Sequence, residues 1–517
     1  MFAVALALPL MAQKEEGIPV SDPLVIARCS ACHHKDEKGN LTRISWERTT
    51  PEGWEQIIKR MVRLNGLTLK PDEARAIVKS LSTTHGLAPE EAKPVMYIAE
   101  RRIVDESVPN DAIRQACASC HAMGRARSWR RSKEEWDLLV AMHRGYFTVA
   151  EQSFRGGAGQ TGPRAPEGGK LALDQAIEYL AKDFGLASAE WSAWRARMRA
   201  PKLSGRWLVE GYEIGRGKIV GEMEVESGAA DDEFTGSVKL TYVKDGQTVT
   251  KSSKSVVYSG YSWRGRTADW REVMWVAPDQ LSMEGRWFWG AYDEFGIDVK
   301  LRRASDGISV LGTDRTMIKA GSTERVRILG DNFSKITAED VDFGSGVRVK
   351  RIVDQSPREL AVEVEADAKA ITGRRDVSVR HVAAANAIAV YQKIDKIKVS
   401  PESALARLGG VDYPKGFQQF EAIAYDHDVA LGPVDAQWSV EEFYAVYGDD
   451  DIDFVGKLDA KGLFTPNVEG PNPKRKSSRN NYGDIWVVAT YQGLTAKSYL
   501  VVTVPIYMRW DQPEVAQ

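Results

Sequence analysis

Cys29-Ser30-Ala31-Cys32-His33 and Cys117-Ala118-Ser119-Cys120-His121 repeat one pattern, CxxCH, in the N-terminal part of a 517-residue chain. The pattern is that of a covalent c-type haem site: two thiols bond to the porphyrin vinyl groups, and the adjacent histidine gives its imidazole to the iron. The chain has four cysteines and these motifs use all of them, leaving none for a structural disulfide. Zinc is the other metal that CxxC pairs bind, but pairs 85 residues apart, each followed at once by histidine, fit haem better. Cys29, Cys32, Cys117 and Cys120 are therefore read as haem attachment points. His33 and His121 are read as the fifth ligands of two irons, and the expected chemistry is one-electron transfer.

An internal repeat points to the sixth ligands. Trp54-Glu55-Gln56-Ile57-Ile58-Lys59-Arg60-Met61 follows the first motif, and Trp136-Asp137-Leu138-Leu139-Val140-Ala141-Met142-His143 follows the second. In both, apolar residues recur at i, i+3 and i+4 from the tryptophan, one face of a helix. Met61 and His143 each lie seven residues after their tryptophan, almost two turns on and on the same face. Met142 points about 120° away. The expected pairs are His33/Met61 and His121/His143. Thioether ligation raises the potential relative to bis-imidazole, so electrons are expected to run from the second haem to the first.

Other histidines rank lower. His34 follows a fifth ligand directly and cannot reach round the same iron. His85 stands where the other half has Phe184, within the matching tails LSTTHGLA and LAKDFGLA. His381 and His427 fall in strand-rich sequence. Arg125, Arg127, Arg130, Arg131 and Arg144 lie near the second motif, read either as partners of haem propionates or as a solvated face.

Pro71-Asp72-Glu73 suits a helix N-terminus. A Gly/Pro-rich loop is expected between Phe154 and Lys170. Beyond Pro201 the period changes to two. Trp207–Tyr212, Lys218–Glu226, Phe234–Tyr242, Thr248–Tyr258 and Gln280–Trp289 read as strands, with a hairpin turn at Lys244–Gln247. Shorter alternating runs follow: Glu324–Leu329, Val347–Ile352, Leu360–Glu365, Phe420–Tyr425, Ile485–Tyr491 and Tyr499–Val504. The fold class expected is multidomain. An N-terminal all-α tandem dihaem cytochrome c domain, 13–202 with halves 13–92 and 93–202, precedes three all-β domains. These are an antiparallel barrel at 203–312 and immunoglobulin-like sandwiches at 313–395, with seven strands, and 396–517. The Gly470–Asn481 loop is expected to be basic and exposed.

Met1–Ala12 reads MFAVALALPLMA, an apolar run ending in a small residue and too short to span a bilayer. It reads as the remnant of a secretory signal whose charged leader lies upstream, and export suits haem attachment. No later stretch reads as a membrane span. A formal net charge of -2 gives nucleic-acid binding no electrostatic support.

The chain resembles the α, haem-bearing subunit of quinohemoprotein amine dehydrogenase. The likeness is carried by CSACHH with WEQIIKRM, CASCHAMGRARSW, GRWLVEGYEIGRGK, KAGSTERVRILGDNF and GLFTPNVEGPNP, in that order over nearly the full length. The resemblance implies a periplasmic heterotrimer with a β-propeller β subunit and a small γ subunit carrying cysteine tryptophylquinone. Primary amines are oxidised there to aldehyde and ammonia. Electrons then pass through the α-subunit haems to a blue-copper protein or a cytochrome c. This chain would hold no catalytic residue and no quinone of its own. The alternatives are a free-standing dihaem carrier and a haem-based sensor docked through its β-domains.

Overall fold

The computed structural model describes residues 15–100, 106–148, 150–154, 170–444 and 449–505. The expected signal remnant, 1–12, and the body of the Phe154–Lys170 loop lie outside them. The chain divides into two compact units, the first Met1–Ala99, Asp105–Arg199 and Tyr258–Gly260, the second Glu100–Val104, Ala200–Val257 and Tyr261–Gln517.

The first unit is mostly helical. Its helices are α1 (Pro23–Cys29), α2 (Pro51–Asn65), α3 (Pro71–Thr84), α4 (Pro89–Ala92), α5 (Asp111–Cys117), α6 (Gly124–Arg127), α7 (Lys133–Tyr146), α8 (Ala150–Phe154), α9 (Ala172–Asp183) and α10 (Ala189–Arg197). The two tryptophan helices start alike. Thr50 Oγ1 accepts from Gly53 N at 3.3 Å to cap α2, and Ser132 Oγ accepts from Glu135 N at 3.2 Å to cap α7. Helix α2 stops at Gly66, whose φ of 72° is the left-handed cap glycine takes readily. Trp54 and Trp136 are fully buried, each in the core of its own half.

The unit is not all-α. Strand β1 (Glu47–Thr49) pairs antiparallel with β2 (Trp129–Arg131), joining the two halves. Three residues are too few for a period of two to register in sequence.

The second unit is β-rich. Strands β3 (Gly205–Glu213), β4 (Gly217–Ser227), β5 (Glu233–Tyr242), β6 (Thr248–Tyr258), β7 (Ser262–Arg266), β8 (Arg271–Val276), β9 (Ser282–Trp289) and β10 (Phe295–Arg303) form a closed barrel in chain order, β10 closing on β3. Trp207, Trp263 and Trp287 are fully buried. The buried Glu272 carboxylate accepts from Trp263 Nε1 at 2.9 Å and Trp270 Nε1 at 3.4 Å, and burial pushes its carboxyl pKa up. Strands β7 (SWRGR) and β8 (REVMWV) escaped the sequence reading because arginine and glycine or an unbroken apolar run interrupt their alternation; β10 alternates regularly at Phe295, Ile297, Val299 and Leu301 and was missed all the same.

Ser309–Tyr391 forms two four-stranded sheets around one core that includes Val326, Val362, Val377 and Ile388. That is eight strands where seven were expected. One pair, Met317–Lys319 with the end of Val382–Tyr391, is parallel. The last region, Lys396–Thr503, holds sheets of three, four and three strands. Its Gly470–Asn481 loop departs from expectation at Arg475, which is buried and bonds Asp450 Oδ1 at 2.7 Å and Asp451. Among the described residues no helix is long and apolar enough to cross a membrane.

Candidate haem-binding sites

Each CxxCH begins at the last residue of a short helix. Asp22 caps α1 by accepting from Leu24 N at 2.8 Å, and Asn110 caps α5 by accepting from Ile113 N at 3.0 Å. The first motif then turns tightly, with Cys32 N and His33 N donating to Cys29 O at 3.2 and 2.9 Å. None of the four cysteines is in a disulfide. Burial pushes Cys29 up to about 11, helped by Cys32, and pushes Cys117 up to about 12.

The histidines are oriented through one nitrogen. His33 Nδ1 lies 2.8 Å from Thr42 O, and His121 Nδ1 lies 2.9 Å from Ala122 O. A carbonyl can only accept, so Nδ1 carries the proton and Nε2 presents a lone pair. Burial depresses His121 to about 4 and lowers His143, with the Arg125 charge adding to both. Neutral imidazole is the form that binds iron.

His143 Nδ1 bonds Leu139 O at 2.8 Å, the carbonyl one turn back on α7. Its ring centroid lies 6.4 Å from that of His121, with 48° between the planes. Imidazoles trans on one ion, with metal–nitrogen bonds of about 2 Å and ring centres roughly 1 Å further back, stand about 6 Å apart. The donor set and spacing thus suit an iron between two imidazoles. Phe147 and Phe154 flank His143 at 6.0 and 6.2 Å.

Met61 is half-buried on α2, where Trp54 and Ile58 are buried. Met142 is turned elsewhere, its sulfur 3.5 Å from Arg60 NH1. His85 is fully buried with both nitrogens occupied, Nδ1 by Thr84 Oγ1 at 2.7 Å and Nε2 by Ile18 O at 2.9 Å. His34, His381 and His427 are exposed.

The arginines near the second motif divide. Arg144 pairs with Glu151 at 2.8 Å, and Arg125 reaches Gln56 Oε1 at 3.0 Å. Arg130 and Arg131 are buried, so a solvated face does not describe them. Arg130 Nε donates to Glu91 Oε1 at 3.0 Å, while Arg48 makes a two-pronged bond to the same carboxylate at 2.8 and 3.1 Å. This hub was missed in the sequence, where Glu91 reads only as an acid in a helix's first turn. The tails that precede it in each half were its one visible signal.

Residues 20–191 match the family model described as "Quinohemoprotein amine dehydrogenase A, alpha subunit, haem binding". The N-terminal region is thus a haem-binding region of an oxidoreductase subunit. Residues 200–304, 309–392 and 397–515 match the models for domains II, III and IV of the same subunit, and the chain belongs to the quinohemoprotein amine dehydrogenase alpha-subunit family. Comparison with curated proteins gives no match. Among solved structures, a redesigned β barrel, mFAP0, bound to DFHBI is 14% identical, covering 20% of this chain and 98% of its own, with a TM-score of 0.17. The titin domains z1z2 in complex with telethonin are 13% identical, covering 39% and 98%, with a TM-score of 0.15. The teleost fish polymeric Ig receptor ectodomain is 10% identical, covering 38% and 99%, with a TM-score of 0.19.

Proposed function

We propose that this chain is the dihaem electron-transfer subunit of a periplasmic quinohemoprotein amine dehydrogenase. The observation that carries the reading is the second site: His121, in the turn after α5, and His143, on α7, have ring centroids 6.4 Å apart beside the Cys117–Cys120 pair. Cys29 and Cys32 hold one haem c covalently, Cys117 and Cys120 another. His33 and Met61 ligate the first iron, His121 and His143 the second.

When bound, the haems supply one-electron redox chemistry. The chain's residues fix and insulate them. Carbonyls of Thr42, Ala122 and Leu139 hold the imidazoles in one tautomer and orientation. Burial keeps His121 unprotonated at neutral pH. Met61 and His143 give the two irons different potentials.

The catalytic quinone, cysteine tryptophylquinone, belongs to a small γ subunit beside a β-propeller β subunit, because this chain's cysteines are all committed to haem. Primary amines are oxidised there to aldehyde and ammonia, and electrons leave through this chain to a blue-copper protein or cytochrome c. The β-regions, bounded near 203–312, 313–395 and 396–517, serve as a docking frame, the last two as immunoglobulin-like sandwiches.

Expression in a host that matures cytochromes c tests this. The mature chain should gain the mass of two haems and show Soret absorption. It should also co-purify from its native source with a small quinone-bearing chain. A haem-loaded monomer without companions would favour a free-standing carrier, and a high-spin haem with an open sixth position would favour a sensor.

A further inference from the structure

Arg43 sits at φ 69°, ψ -58°, a strained conformation for a residue with a Cβ. The strain builds a three-residue turn, in which Ile44 N donates to Thr42 O at 2.9 Å. The same Thr42 oxygen accepts from His33 Nδ1 at 2.8 Å. The turn therefore aims the carbonyl that orients His33. His121 has no such device, since its Nδ1 bonds the carbonyl of its own neighbour, Ala122.

What holds the turn comes from the other half of the repeat. Arg43 Nε donates to Glu135 Oε2 at 2.5 Å, and Glu135 lies in α7, the helix that carries His143. Glu135 is buried, as is Glu47, which lies 3.8 Å from Arg43 and bonds Arg131. Two buried carboxylates thus share two guanidiniums. The charged groups facing Glu135 are Glu47 from β1, Arg131 from β2 and Arg43 from the turn. On its own helix Lys133 is engaged with Asp137 at 2.9 Å.

We propose that Arg43 and Glu135 are positioning residues for the first haem: their ion pair holds the turn that keeps Thr42 O on His33, and a proton on Glu135 is linked to the electron on that iron. The inference rests on the haem reading above. When an external one-electron donor reduces the ferric iron to ferrous, one proton from solvent adds to the Glu135 carboxylate, and the net charge of the region is unchanged. Protonation removes an anion and relaxes the grip on Thr42. Both effects raise the potential, since a weaker hydrogen bond leaves His33 less basic. Burial followed by the Glu47 charge pushes Glu135 up to about 7, against the pull of Arg43 and Arg131, so this proton exchanges near neutrality.

The test is redox titration of the full haem-loaded chain from about pH 5 to pH 9, a span that brackets this carboxyl. One of the two midpoint potentials should fall as pH rises through neutrality in the wild type. In Glu135→Gln that potential should stay near its acid-side value at every pH. Arg43→Gln, at a half-exposed position, should move the fall of the same potential to higher pH, because Arg43 holds the Glu135 carboxyl down. A loaded Glu135→Gln chain with the wild-type slope, or a wild type with no slope, would overturn the proposal while leaving the haem reading intact. A wild-type chain that takes up no haem overturns both.

Discussion

Arg48 and Arg130 stand opposite each other on β1 and β2, and each lies six residues ahead of its buried tryptophan. Equivalent residues of the two repeats therefore pair with one another. Glu47 opposes Arg131 and Thr49 opposes Trp129, which places a local two-fold axis through the ribbon. The symmetry extends to the tails. Thr49 N and Trp54 Nε1 both donate to His85 O at 3.0 Å, while Arg131 N and Trp136 Nε1 donate to Phe184 O at 3.2 and 3.3 Å. Glu91 breaks the symmetry: it is buried and binds both arginines, whereas Glu190, which also lies three residues past its tail, is exposed.

Glu91→Ala should destabilise the first unit by about 3–5 kcal/mol, because it leaves two buried guanidiniums without a carboxylate. Burial raises the Glu91 pKa, but the Arg48 hydrogen bond and the Arg48 and Arg130 charges overrule it and hold it at about 2. The unfolded chain therefore binds this proton first as pH falls. The contribution is full above the ordinary value of 4.5 and is lost toward pH 2. Denaturant titrations of wild type and variant at several acid pH values measure it.

His85→Phe should leave the haem spectrum unchanged, since Phe184 fills the equivalent place. It should cost about 1–2 kcal/mol through the unpaired Ile18 carbonyl. Burial holds His85 down to about 4, so the unfolded chain takes up a proton first and stability falls as pH drops from 6.5 to 4. Thermal unfolding against pH should lose this component in the variant.

Glu135 has the opposite sign. Its raised pKa means that the folded chain binds the proton more tightly, so its contribution falls as pH climbs from 4.5 to about 7 and is flat above. Glu135→Gln should abolish that slope in a pH series of melting temperatures. A slope that survives the substitution would assign it elsewhere.

His143→Ala should convert the second haem to a high-spin or solvent-ligated form and leave the first unchanged. Met61→Ala should remove the far-red sulfur-to-iron charge-transfer band. Retention of that band would give the sixth position of the first iron to another methionine. Optical and magnetic circular dichroism spectra of the two variants separate these effects.

The haem-binding character of the N-terminal region was legible because it rests on short-range spacing. A cysteine pair, its adjacent histidine and a helix face seven residues long are all local patterns, and His121 and His143 indeed converge in space. The ribbon was not legible, because a three-residue strand carries no period. Arg130 and Arg131 stayed open between propionate partners and a solvated face because sequence does not reveal that Glu91 and Glu47 return from 39 and 84 residues away. In the barrel, Trp263 and Glu272 were hidden for a related reason: a buried carboxylate tied to indoles imitates a polar position in the alternation.

A contact in which like residues of two repeats meet about an axis is the kind that joins identical subunits. Either half on its own would present one ribbon strand as an unpaired, self-complementary edge. Separate expression of single halves should therefore give symmetric dimers rather than monomers. Fusion of two copies of a self-pairing half would give a tandem of this symmetry. The fused chain could then alter each member separately: Glu91 on the axis, His85 opposite Phe184, and Met61 opposite His143.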